Sequence, residues 1–280
     1  MDRTRRALFA VIRLELAEVL RSRWLLFCVA VYGILALVFV LVGLKESTVQ
    51  GFTGTSRVLL SLSHALLVLL PLMALTATGQ VVNHARDDGT LELLFSQPIG
   101  RGAYLAGVTL VRYAALVLPL GLLMFGVGLY GWIAYREAIS AGFLARCLAV
   151  SATLLWAFAG LGVLVSTVVR NQAKAMIYLL LLWVGGVALL DFALSGLMLQ
   201  WQVEPRLVFT LAALNPVQAA RMALLSAVDP ELSVLGPVGF YLANQVGATA
   251  LLLLGLVWPL LVGWGAFGAA LWRFRRGDVV

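Results

Sequence analysis

The stretch Cys147–Val169, CLAVSATLLWAFAGLGVLVSTVV, contains no Asp, Glu, Lys or Arg from end to end. About 20 apolar residues in a helix cross the roughly 30 Å hydrocarbon core of a bilayer, so this stretch predicts a membrane-spanning helix. The rest of the chain has the same character. Of 280 residues, 62% are hydrophobic and 12% charged, against about half and a quarter in soluble domains. We therefore expect an all-α integral membrane protein.

Similar charge-poor runs lie on both sides of this stretch, and together they predict one transmembrane domain covering 1–280 with six spans. The spans are expected at about 24–44, 58–82, 113–135, 147–169, 175–199 and 246–272. Asp191 interrupts the fifth. The charge-free region 232–272 is too long for one helix, so its first part is expected at the outer interface.

The basic residues predict the orientation. With the N-terminus in the cytoplasm, fourteen of the 20 Lys and Arg residues fall on the cytoplasmic side and six on the other. Both termini and the loop 83–103 are then cytoplasmic, and the loop 201–245 is external. That external loop is expected either to hold short re-entrant helices or to lie flat on the surface. The long charged N-terminus, without a small-residue cleavage site, does not resemble a signal peptide.

Residues 3–23 predict an amphipathic helix along the cytoplasmic interface, with Leu8, Ile12, Leu16 and Val19 on one side. Glu15 interrupts that apolar side. Two interpretations follow: an ordinary anchoring helix, or a helix that also contacts protein.

Several kinds of chemistry have no sequence signature in this chain. Neither lysine, Lys45 or Lys174, follows a glycine, so there is no phosphate-binding loop. The two histidines, His64 and His84, form no zinc motif, and no nucleophile elbow is present. We expect no catalytic residues, no bound metal or cofactor, and no nucleic acid partner, since the basic residues flank apolar runs.

Two ionisable residues in predicted spans are candidate functional positions. Asp191 is costly to place in hydrocarbon, and such groups often mark a transport path. His64, in the second span, is a candidate for contact with a metal. The alternative for both is a structural hydrogen bond to a neighbouring helix. Cys28 and Cys147 are expected to be small buried hydrophobic residues.

The segment 86–101, RDDGTLELLFSQPIGR, predicts a short amphipathic helix between the second and third spans. Gly89 permits a sharp reversal, Thr90 is a candidate cap, and Pro98 ends the helix. Its apolar face is expected to consist of Leu91, Leu94 and Phe95. Such an element is suited to docking into a groove of a partner.

The pattern of acidic residues, Gly-Thr-Leu-Glu, apolar positions and Pro followed by Arg resembles the ABC-2 type transporter permeases. Two other stretches agree with this resemblance. One is the N-terminal helix running into the first span; the other is Asn215-Pro216. The N-terminal match is carried by Arg13, Glu15, Arg21, Arg23 and Trp24. Within the family, the chain is most similar to NosY-like permeases.

The resemblance implies that 83–103 is a coupling segment that seats on a cytoplasmic ATPase. Its residues would be Asp87, Asp88, Gly89, Thr90, Leu91, Glu92, Leu94, Phe95, Pro98 and Arg101. ATP and Mg would be bound by that partner, an ABC ATPase subunit that is NosF-like. The resemblance further implies a homodimer in the bacterial inner membrane, a NosD-like periplasmic partner, and a role in copper-site maturation of nitrous oxide reductase.

The substrate stays open at this stage. Cys, His and Met do not cluster, which disfavours a dedicated copper path and leaves a sulfur species, another small molecule or a lipid-like compound, or force transmission to an external partner. A stand-alone secondary transporter would need internal repeats or several intramembrane charges. A membrane-embedded hydrolase would need a paired set of reactive side chains.

Overall fold

The structure is a computed structural model that describes residues 3–50, 54–97, 99–135, 141–189, 205–228 and 247–277. These residues are helical apart from short connections, and they contain no strand. The helices are α1 Arg3–Arg21, α2 Arg23–Gln50, α3 Gly54–Thr78, α4 Val81–Asp87, α5 Thr90–Phe95, α6 Arg101–Tyr135, α7 Ala141–Val168, α8 Gln172–Trp183 with a π-helical continuation Val184–Leu189, α9 Pro205–Leu214, α10 Pro216–Val228 and α11 Ala248–Arg276.

Five stretches are long and apolar enough to cross a membrane. They are Ala65–Asp87, Arg101–Tyr130, Ala141–Val168, Gln172–Leu189 and Ala248–Arg276. The bent pair formed by α1 and α2, which meet at 62°, makes a sixth when counted as one span. The all-α membrane class predicted from sequence is thereby confirmed. Asp191, Pro98 and the side chain of His64 lie outside the described part of the chain.

Helix α7 lies at the centre of the bundle, and it packs most extensively against α11. The two helices approach closely because Gly160 of α7 faces the backbone of Gly263, leaving no room for a Cβ atom. On another side, Gly162 lies against Thr78 of α3. The Thr78 hydroxyl donates to the Ala159 carbonyl at 3.1 Å, a hydrogen bond between helices of the kind that joins membrane helices.

The second span is broken. Helix α3 ends at Thr78 and α4 begins at Val81, which leaves backbone groups without intrahelical partners. The Ser166 hydroxyl of α7 accepts from the Val82 amide at 2.9 Å. A neighbouring helix thus satisfies the break and holds α4 against α7.

The described part of the predicted loop 201–245 is helical. Helix α10 lies inside the bundle against α7 and α11, and Val217, Ala219, Ala220 and Ala223 are fully buried. Residues 205–228 form the two short helices α9 and α10, and residues 201–204 and 229–245 of the predicted loop lie outside the described part of the chain.

Candidate functional site at the α5 end of the bundle

Helix α5 lies at one end of the bundle, together with α1, α4, the first turns of α6 and the last turns of α11; we call this the α5 end. The chain turns into α5 at Gly89, whose φ of 69° lies in the left-handed region that favours glycine. Thr90 is the first residue of the helix, and no side chain caps it. The predicted Thr90 cap is therefore wrong: Gly89 occupies the capping position. Asp87 and Asp88, just before this turn, are exposed, and the Asp88 carboxylate lies 3.2 Å from His84 Nε2.

The apolar face predicted to dock on a partner faces the bundle instead. Leu91 is fully buried, and Leu94 and Phe95 are half-buried against the same cluster. The outward side of α5 carries Leu93, which is 72% exposed, and the exposed Glu92. The physical reason is that the apolar stripe of α5 folds onto the chain's own helices, which leaves the off-stripe leucine at the surface.

Leu91 of α5 packs with residues of five other helices in a cluster that we call the α5 cluster. Its buried members are Val11, Val81, Val82, Leu91, Tyr104, Leu105, Val108, Val163, Ala270 and Phe274. Three rings meet at its edge. The Phe95 centroid lies 6.0 Å from that of Tyr104 and 6.1 Å from that of Phe274. These spacings suit aromatic pairs, so α5 contacts both α6 and α11 through rings.

Arg101 also links the start of α6 to the end of α11. Its Nη1 atom donates to the carbonyl of Arg275 at 3.1 Å and to that of Gly277 at 2.9 Å. The guanidinium also lies 6.0 Å from the centroid of the Phe95 ring. The last carbonyls of a helix have no intrahelical partners, so Arg101 at the start of α6 holds the end of α11. Arg101 was predicted as an ATPase-coupling residue, and here its Nη1 atom donates to carbonyls of this chain.

The N-terminal helix is attached to the bundle through a buried ion pair. Arg112 Nε donates to Glu15 Oε1 at 2.7 Å, and Arg112 Nη1 donates to the Ala77 carbonyl at 2.8 Å. Burial raises the pKa of the Glu15 carboxyl, and the nearby Arg112 guanidinium opposes that rise. Of the two interpretations of this helix, Glu15 supports the one in which α1 contacts protein.

Of the side predicted for α1, Val19 is buried, Leu8 and Ile12 are half-buried, and Leu16 is exposed. Val11 and Glu15 are buried instead of Leu16. The basic residues Arg13, Arg21 and Arg23 are also exposed, and Trp24 packs partly buried against the main core.

The roles of two residues at the α5 end, Leu93 and Arg112, were not predicted from the sequence. For Leu93 a signal exists, because it is an apolar residue off the stripe formed by Leu91, Leu94 and Phe95. For Arg112 the sequence shows a lone charge at the head of an apolar run, with nothing to identify its partner. Within the described ranges, no three His, Cys, Asp or Glu side chains come together as a metal site.

The comparisons with known proteins agree with this architecture. The profile of the family described as "ABC-2 family transporter protein" matches residues 9–279, so the chain belongs to that family of membrane transport proteins. One relative is the probable ABC transporter permease protein NosY of Pseudomonas aeruginosa (strain PAO1), 31% identical over 97% of this chain and 98% of its own length. Another is the probable ABC transporter permease protein NosY of Stutzerimonas stutzeri, 29% identical over 92% of this chain and 96% of its own length.

Proposed function

We propose that this chain is the membrane permease subunit of an ATP-driven transporter and that α5 is the helix on which a separate ATPase subunit docks. The exposure of Leu93 supports this proposal most strongly. Leu93 is an exposed leucine on a helix that packs against the bundle, and the exposed acidic residues Asp87, Asp88 and Glu92 are close to it in sequence. Such a leucine is suited to insert into a groove rimmed by basic residues.

The contacts of α5 define how ATPase movement would reach the spans. Leu91 fills the α5 cluster, so α5 moves only with the helices around it. Phe95 contacts Tyr104 of α6 and Phe274 of α11, and Arg101 holds the end of α11. ATPase movement would therefore pass from α5 into α6 and, through Phe274 and Arg101, into the last helix, α11.

The proposed orientation places the α5 end and both termini in the cytoplasm, with the chain in the bacterial inner membrane. The distribution of basic residues supports this, because Arg273, Arg275 and Arg276 fall in the last turn of α11 and the N-terminal arginines belong to the same end. A half-transporter of five or six spans needs a second copy, so we propose a homodimer.

The two NosY relatives extend the proposal to a particular system. The chain would act with a NosF-like ATPase and a NosD-like periplasmic partner in copper-site maturation of nitrous oxide reductase. Its role would be substrate movement or force transmission to that external partner. A second candidate is export of another small molecule or a lipid-like compound, favoured by the apolar cavity described below.

The test is co-purification with the NosF-like ATPase and measurement of ATPase activity of the reconstituted complex. We expect Leu93→Glu to lower recovery of the ATPase by about tenfold or more, as for loss of a central apolar contact. Gln97→Glu adds the same charge at an exposed position nearby and should leave recovery unchanged, and Leu93→Ile should retain most of it. The proposal fails if the chain purifies without an ATPase and Leu93→Glu behaves as wild type.

A further inference from the structure

A second concave site lies away from the α5 end and is lined by residues of α7, α8, α9, α10 and α11. It is a cavity of about 540 Å³ whose walls include Phe158, Leu161, Leu182, Gly185, Gly186 and Asn215. Ligand sites in proteins span about 300–1,000 Å³ and combine apolar walls with a few placed polar groups. The size and the composition of this cavity both fall within that description.

Asn215, a residue of the cavity wall, makes two hydrogen bonds. Asn215 Nδ2 donates to the Gly186 carbonyl at 2.5 Å, and Asn215 Oδ1 accepts from the Val217 amide at 3.0 Å. Gly186 belongs to the π-helical segment Val184–Leu189, and such segments often occur at functional positions. Asn215 thus fixes the start of α10 against α8 and has both ends of its amide occupied.

The absence of side chains from Gly185 and Gly186 keeps the cavity open. A Cβ atom built on Gly185 meets no atom within 4 Å, and one on Gly186 meets only Phe158 at 3.9 Å. Larger residues at these two positions would fill the space. The two glycines therefore leave open space along the α8 wall of the cavity.

The mouth of the cavity opens on the apolar surface of the bundle. Three lining residues, Leu181, Leu211 and Leu214, are themselves exposed. Along α8 the distance from Gln172 to Gly186 is about 20 Å at 1.5 Å per residue, within the roughly 30 Å of hydrocarbon. Water is not stable against such walls, because it would find too few polar partners.

We propose that this cavity binds one hydrocarbon chain of a membrane phospholipid. The bilayer supplies that chain at high local concentration, and an acyl chain gives dispersion contacts to every apolar wall. It requires no hydrogen bond from the cavity wall, where the Asn215 amide is already paired. The site is independent of ATPase docking, and it would let a lipid bias the relative positions of α8, α10 and α11.

The test uses the full chain in nanodiscs that contain a phospholipid with a photoreactive diazirine in its acyl chain. After irradiation, labelled peptides are mapped by mass spectrometry. We expect wild-type label on residues 181–186 and 211–216, and a loss of at least about fivefold there in Gly185→Phe, whose ring occupies the cavity. Gly265→Phe is the matched control, because a Cβ on Gly265 also meets nothing within 4 Å, but on the outer face of α11. It should leave that label unchanged.

The wild-type map keeps the test decisive even if Gly185→Phe does not fold, and Gly185→Leu provides a smaller filling. Wild-type label confined to other lipid-facing surfaces, such as those around Leu261 and Trp272, would overturn the proposal. Cross-links from 181–186 to a second copy of the chain, without lipid label, would also overturn it and identify the cavity as a subunit contact. Equal labelling of wild type and a folded Gly185 variant would do the same.

Discussion

Arg112 of α6 joins Glu15 of α1 through a 2.7 Å bond from Nε to Oε1, and the same guanidinium donates to the Ala77 carbonyl of α3. One side chain therefore connects the N-terminal helix with two others. The Glu15 side chain is only 8% exposed and that of Arg112 23%. Breaking a pair with this degree of burial leaves a charge without compensation, which costs more than the intact pair contributes.

The first prediction is that Arg112→Met destabilises the chain by about 3 kcal/mol at neutral pH, toward the low end for buried pairs because Arg112 is partly exposed. Burial already raises the pKa of Glu15, and removing Arg112 removes the charge that opposes the rise. The pKa of Glu15 therefore rises further. Because the pKa of Glu15 is higher in the folded than in the unfolded chain, its contribution to the free energy of unfolding is fully present below the unfolded pKa of about 4.3. That contribution is lost as the pH rises through the folded pKa.

The measurement is the thermal unfolding temperature in detergent at several pH values between 5 and 8. The difference between wild type and Arg112→Met should widen as the pH rises. The double variant Glu15→Gln/Arg112→Met removes the unpaired charge and should recover most of the loss and flatten that dependence. A constant difference across the range would contradict the assignment.

The second prediction separates the two faces of α5. Leu91→Ala leaves a cavity in the α5 cluster and should cost about 2–5 kcal/mol. Leu93→Ala changes an exposed side chain and should alter the free energy of unfolding by no more than about 0.5 kcal/mol. Thermal unfolding of the purified variants distinguishes them. Equal destabilisation would mean that Leu93 is also part of the packed cluster.

The sequence was sufficient for the class of fold because long apolar runs have few alternatives in water or lipid. The sequence alone did not predict which face of α5 is buried. Leucines and phenylalanine occupy most of its six residues, Thr90–Phe95, so an inward and an outward stripe are both possible. Which one folds inward depends on helices far away in the chain, among them α1 and α11.

The ion pair between distant residues and the burial of the short helix α10 also could not be predicted from the sequence. Glu15 and Arg112 are 97 positions apart, and each alone resembles an ordinary interfacial charge. Helix α10 is too short to span a membrane and carries Gln218 and Arg221, so it resembles a loop. Its burial follows from small residues such as Ala219 and Ala223, which fit the surface that α7 and α11 form together.

The third prediction concerns Asn215. Asn215→Ala removes the side-chain acceptor for the Val217 amide and the donor to Gly186, with an expected loss of about 1–2 kcal/mol. Hydrogen exchange should accelerate at the first amides of α10 and in 184–189. Asn215→Asp keeps the acceptor but loses the donor, so only exchange in 184–189 should accelerate. If Asn215→Asp loosened the start of α10 as much as Asn215→Ala, the division of roles would be wrong.

The fourth prediction tests the α7–α11 contact. Gly160→Ala places a Cβ atom on the backbone of Gly263, and backbone, unlike a flexible side chain, cannot move aside without separating the two helices. We expect a loss of about 1–3 kcal/mol, as for other overpacked sites. Gly126→Ala in α6 meets nothing within 4 Å and should be neutral or slightly stabilising, since alanine favours a helix over glycine by about 0.5–1 kcal/mol. Thermal unfolding in the same detergent compares the two. A neutral Gly160→Ala would show that α11 is free to shift against α7, and the proposed path from α5 through Phe274 into α11 would then end in a loose helix.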